Sequence, residues 1–156
     1  MNTIHHQRRL FLTHAAALGL ASSGLVFAQS PLNVTVWKDP NCGCCKDWVA
    51  HLEKNGFRVT VKDTGNNAAR ARLGMPQKFG SCHTAQIQGY VIEGHVPASD
   101  ILRLLKNRPA ALGLAVPGMP VGSPGMDGPA YGTRHDRYDV LLVLKDGSEK
   151  IFASYP

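Results

Sequence analysis

The chain has 156 residues, 44% of them hydrophobic and 18% charged, with a formal net charge of +6. That size fits one domain with a modest core, which a metal or a disulfide could help hold together. The basic residues are scattered (Lys38, Lys46, Arg58, Arg70, Arg72, Arg103, Lys145) with no aromatic interleaving, so a solvated surface is expected rather than a nucleic-acid interface.

Residues 1–28 read as an export signal. His5, His6, Arg8 and Arg9 give a basic start, Leu10 to Phe27 is mostly apolar, and Val26-Phe27-Ala28 ends in a small residue. The order Arg8-Arg9-Leu10-Phe11-Leu12 resembles a twin-arginine signal; an ordinary secretory signal is the alternative. His14, Ser22 and Ser23 interrupt a run already short for a permanent membrane anchor. Residues 29–156 then form a single domain. Without Arg8 and Arg9 it carries 15 Lys and Arg against 11 Asp and Glu, or +4.

Leu32 to Trp37 alternates and is β-branched, which predicts a strand broken by Asp39-Pro40-Asn41. A helix is expected to begin near Cys42 to Cys44, with Asn41 or Asp39 offering a cap, and it sets Cys45, Trp48, Val49 and Leu52 on one apolar stripe. Asn55-Gly56 ends it, and Phe57 to Val61 is a second strand. Asn66 to Leu73 reads as a short helix closed by Gly74 and Pro76. Ser81 to Thr84 is expected as a loop, Ala85 to Ile92 as one strand and Ala98 to Lys106 as a helix. Pro109 to Gly128 is rich in glycine and proline and is expected to be irregular. Tyr138 to Leu144 and Lys150 to Ser154 flank the hairpin signal Asp146-Gly147. The order predicts an α/β sandwich with a small mixed sheet and a C-terminal β-hairpin.

Three of the four cysteines lie within four residues, Cys42-Gly43-Cys44-Cys45, at the turn from first strand to first helix; Cys82 stands apart. Cys42 and Cys45 also form a C-x-x-C where a thioredoxin-like fold keeps its redox pair. Three adjacent thiols cannot all pair among themselves, so at most one local bridge forms. Thiolates suit soft metals such as copper(I), zinc and iron–sulfur clusters, and a helix N-terminus favours the thiolate. Zinc more naturally takes paired knuckles, and the usual iron–sulfur spacings are absent. A structural disulfide competes for Cys42 and Cys44, and a buried thiol for Cys45.

His83, beside Cys82, is the histidine most expected to join a metal. His95, after a strand end, reads as a turn residue, and His51, two turns along the helix from Cys44, as a surface or packing residue. Met119 and Met126 lie in a repeated Pro-Gly-Met and offer thioether ligands, or else act as flexible fillers. No Ser-His-Asp order, phosphate loop or paired catalytic carboxylates stands out, which leaves hydrolase chemistry without support.

Cys42-Gly43-Cys44-Cys45-Lys46-Asp47-Trp48, Ser81-Cys82-His83-Thr84-Ala85, Gly89 to Pro97, and Gly113 to Pro120 with Gly122 to Met126 resemble the motifs of the CopG-type periplasmic copper-resistance proteins, a family also catalogued as a domain of unknown function. The match runs from about Leu32 to Tyr155. The resemblance implies a thioredoxin-like fold and copper, as copper(I) and in one or more ions, held by Cys42, Cys44, Cys45 and Cys82, with His83, Met119 and Met126 as further ligands. It implies a role in copper resistance, a periplasmic location, metal ions and periplasmic copper-handling proteins as partners, and neither nucleic acid nor a stable membrane anchor. Copper redox activity is a corollary; a thiol–disulfide oxidoreductase using Cys42 and Cys45 is the rival.

Overall fold

The computed structural model describes residues 32–156; the expected export signal lies outside them. The described residues form seven strands and three α-helices. In chain order they are β1 (Leu32–Lys38), α1 (Gly43–Lys54), β2 (Phe57–Lys62), α2 (Asn67–Arg72), β3 (His83–Ile87), β4 (Tyr90–Glu93), α3 (Ala98–Asn107), β5 (Gly113–Ala115), β6 (Tyr138–Val143) and β7 (Glu149–Tyr155). Short 3₁₀ turns occupy Gln77–Phe79 and Pro129–Tyr131. The strands make one mixed sheet in the order β2-β1-β3-β4-β5-β6-β7. β1 and β2 are parallel, as are β4 and β5, and the other neighbours are antiparallel. No helix among the described residues is long and apolar enough to cross a membrane.

The expected apolar stripe of α1 is real: Cys45, Trp48 and Leu52 are buried. Trp48 and Leu52 pack with Val34, Val36, Ala85, Ile87 and Ile92 of the sheet and with Ile101 and Leu104 of α3. A second cluster, built from Met75, Phe79, Val91, Ala115 and Val143, covers the opposite face. Adjacent residues of β4 enter different clusters, as the two-residue period of a strand requires. β4 is therefore covered on both sides, and all four of its residues are buried.

Three local expectations are corrected. The single strand Ala85 to Ile92 is a tight β3–β4 hairpin that pairs Ile87 with Tyr90. Gln88 (φ 47°) and Gly89 (φ 88°) both take left-handed conformations there, as a two-residue hairpin turn requires, and the Arg108 guanidinium donates to Gln88 Oε1 at 2.7 Å. The stretch expected to be irregular contains β5. Gly113 hides it, because a Cβ there would lie 1.7 Å from the Val91 carbonyl oxygen. Neither Asn41 nor Asp39 caps α1: Cys42 is the cap residue, and Asp39 Oδ1 instead accepts the Asn41 N–H at 2.8 Å.

Candidate metal centre

The site lies where the end of β1 turns into α1 and where β3 begins. Cys42 is the cap residue of α1, Cys44 and Cys45 lie in its first turn, and Cys82 immediately precedes β3. The antiparallel register sets Lys38 of β1 beside His83 of β3, which carries Cys82 up to the helix start. The ligand atoms of all four cysteines lie within 4.8 Å of one another. One local bridge forms, Cys42–Cys45, on the C-x-x-C pair. Cys44 and Cys82 are free thiols. Cys44 Sγ is 3.6 Å from Cys42 Sγ and 3.8 Å from Cys82 Sγ, and Cys45 Sγ sits 3.6 Å from the Cys82 carbonyl oxygen.

Cys82 also belongs to a second group, with His83 and His95. The Cys82 sulfur is 3.1 Å from His95 Nε2 and 3.4 Å from His83 Nδ1. His95 lies in a bend just after β4, in keeping with the turn position expected of it, and is fully buried. Its Nδ1 lies 2.9 Å from the Pro124 carbonyl oxygen, so the N–H belongs there and the Nε2 lone pair faces Cys82. That bond to a backbone carbonyl orients an imidazole in the way metal-ligating histidines are usually oriented. His83 is fully buried, tilted against the Trp48 ring at 4.2 Å, and its Nε2 has no hydrogen-bond partner. His51 stays outside the group: its Nε2 accepts the Ala98 N–H at the start of α3.

The two Pro-Gly-Met loops reach the site from different sides. Met119 is half exposed and lines a cavity of about 350 Å³ with Cys82, Ser81 and Arg70. Met126 is buried, and its sulfur accepts the Tyr131 hydroxyl at 3.3 Å. Its neighbour Gly125 lies flush on α1, where an added Cβ would fall 2.6 Å from the Cys44 carbonyl oxygen.

Burial favours the neutral forms of Cys82, His83 and His95 in the metal-free site. Burial pushes the Cys82 thiol up to about 12, and the neighbouring Cys44 sulfur adds to the effect. A metal must therefore displace a proton at Cys82. Burial also lowers His83 and His95 from 6.5. Stability linked to these imidazoles is fully present above 6.5 and is lost as pH falls below it, because the unfolded chain then takes up protons that the folded one refuses. The loss reaches up to about 1.4 kcal/mol per pH unit for each histidine. Urea unfolding of metal-free protein is expected to show a clearly lower midpoint at pH 5.5 than at pH 7.5, with a smaller difference in His83→Gln; equal midpoints would refute the assignment.

Sequence reasoning missed one further group. Arg70 and Glu93 form a buried ion pair at 2.9 Å beside Ser81. The available signal was Glu93 itself, a carboxylate closing the apolar run Tyr90-Val91-Ile92.

Fold and site together define an α/β protein with a mixed sheet that gathers thiols and imidazoles at one helix start. Residues 79–126 match the family model described as a protein of unknown function, DUF411. Two solved structures, named Copper resistance protein CopG, Form 1 and Form 2, share 51% and 52% identity with TM-scores of 0.74 and 0.73. Each match covers 81% of this chain, and 98% and 99% of the respective relatives. No curated protein matches. The chain belongs to the family of copper resistance protein CopG.

Proposed function

We propose that this protein is an exported, periplasmic copper(I)-binding protein acting in copper resistance. The observation that carries the reading is the convergence of four cysteine sulfurs from two separate elements within 4.8 Å. Soft sulfur donors favour copper(I), and one sulfur can bridge two ions, which allows more than one copper per chain. Cys42, Cys44, Cys45 and Cys82 are the principal ligands, once the Cys42–Cys45 bridge is reduced. His83 and His95 add nitrogen donors on the far side of Cys82. Met119 offers a thioether at the mouth of the adjoining cavity; Met126 would have to release the Tyr131 hydroxyl to do the same. The name of the solved relatives supports the copper assignment. The strand order β2-β1-β3-β4, with α1 between the parallel pair, supports a thioredoxin-like core carrying three added strands.

Anaerobic titration of reduced protein with copper(I), against a coloured chelator, tests the reading. Withdrawal of copper from the chelator is expected, and no withdrawal would discard it.

A second reading, thiol–disulfide exchange, is favoured by the bridged Cys42–Cys45 pair at the α1 start. It leaves Cys44 and Cys82 without a role. Insulin reduction that survives loss of both would support it over copper binding. Copper redox cycling with these thiols as electron donors is compatible with the first reading and requires an external electron partner.

A further inference from the structure

We infer that Arg70 and Glu93 are positioning residues that fix Cys82 for metal capture, an inference that rests on the copper reading above. The two oxygens of Glu93 grip the chain on either side of the Cys82-His83 dipeptide. Oε1 accepts the Ser81 backbone N–H at 2.8 Å, and Oε2 accepts the Thr84 hydroxyl at 2.6 Å. Arg70 completes the grip from α2, donating from Nη2 to the Ser81 carbonyl at 2.6 Å and from Nε to Glu93 Oε1 at 2.9 Å. Asn66 repeats the bracket, its Nδ2 lying 3.1 Å from the Ser81 carbonyl and 3.3 Å from Thr84 Oγ1. Both backbone polar groups of the residue before Cys82 are thus held by side chains from two other elements, with the Ser81 hydroxyl donating to the Gly118 carbonyl of the Met119 loop.

Register explains why one carboxylate can do this. Thr84 and Glu93 are directly opposite on the β3–β4 hairpin. Thr84 and Glu93 therefore share the α2 face of the sheet, while His83, one residue away, faces Trp48 on the other side. Glu93 holds the backbone from behind, and the sulfur and imidazoles are presented in front. Arg70 is itself fully engaged: Nη1 donates to Asn67 Oδ1 at 3.0 Å and to Gln77 Oε1 at 3.1 Å. The pair is 3% and 0% exposed. Buried ion pairs give little net stability over apolar residues of similar volume, so stability alone is a weak reason for this one. What it does hold is the peptide that sets Cys82 Sγ 3.8 Å from Cys44 Sγ and 3.1 Å from His95 Nε2. A small shift of residues 81–84 would open both distances together.

The test is the double variant Arg70→Met/Glu93→Leu, which removes the grip without stranding a buried charge. Two readouts are taken on folded protein: copper(I) affinity by chelator competition, and the alkylation rate of Cys82 by iodoacetamide, resolved from Cys44 by peptide mapping. Removing groups that orient a ligand costs about 10–100-fold in metal affinity, and that loss is expected here together with faster Cys82 alkylation. A folded variant with wild-type affinity and wild-type alkylation would overturn the inference. If wild-type protein itself takes no copper(I), the functional reading fails, and alkylation alone decides the positioning: faster rates uphold it, unchanged rates overturn it. Should the double variant not fold, Glu93→Gln decides by the same readouts: its one oxygen can accept the Ser81 N–H, but its NH2 cannot accept the Thr84 hydroxyl proton, and the charge that pairs with Arg70 is gone.

Discussion

Cys82→Ser is expected to weaken copper(I) binding by more than about 100-fold, beyond the range seen when only a ligand's orienting partner is lost. Two features make this residue decisive. Cys82 is the one cysteine supplied from outside the α1 turn, so without it the cluster becomes a local knot of Cys42, Cys44 and Cys45. It is also the atom common to both donor groups, the four cysteines on one side and His83 with His95 on the other. Serine is nearly the same size but presents a hard oxygen in place of a soft sulfur. Cys82 is half-buried and outside the main core, so the variant should fold. Chelator competition on reduced protein reads the effect directly; wild-type affinity in this variant would remove Cys82 from the site.

Trp48→Ala is expected to destabilise the domain by about 3–5 kcal/mol, as removal of a buried Trp side chain commonly does. Trp48 is 0% exposed and joins the α1 face of the core to the site. Its indole N–H donates to the Val96 carbonyl at 2.9 Å, and its ring lies 4.2 Å from the His83 ring. The substitution opens a cavity, leaves a buried carbonyl without its donor and frees His83 to move. A melting temperature lower by roughly 10–20 °C is the corresponding signal for a domain of this size. Trp48→Phe, which keeps an aromatic ring but loses the N–H, should fall between the two. A melting point unchanged in Trp48→Ala would contradict the packing described.

These two residues show how unevenly the sequence discloses the structure. Trp48 was legible: it shares a 3.6-residue stripe with Cys45 and Leu52, and that period has only one physical cause. The hairpin of β6 and β7 was legible for a similar reason, because Asp146-Gly147 demands a turn. The partners of Cys82 were not. Read as one extended strand, Ala85 to Ile92 would carry His95 roughly 25 Å from the thiol. The hairpin at Gln88-Gly89 brings it back to 3.1 Å. That turn was hidden because Gln88, rather than a glycine or asparagine, takes the first left-handed position. β5 was hidden by Gly113, whose missing side chain reads as loop but is what the close approach to Val91 requires. Arg70 looked like one of many scattered surface cations. Only the sheet register reveals that Glu93 waits opposite Thr84 to receive it.

The repeated Pro-Gly-Met also carries two different local roles. Both glycines take positive φ, 70° at Gly118 and 84° at Gly125. Gly125 is additionally pressed against the α1 backbone, whereas Gly118 has open space around it. One loop is thereby fastened to the cysteine turn, and the other leaves Met119 at the rim of the cavity beside Cys82.

In the proposed function, sulfur from this cysteine cluster holds copper. X-ray absorption at the copper edge of reduced, copper(I)-loaded protein tests it most directly. A first shell dominated by sulfur, depleted of sulfur in Cys82→Ser, is the predicted result. A shell of nitrogen and oxygen alone, or a sulfur shell unchanged by loss of Cys82, would contradict the account.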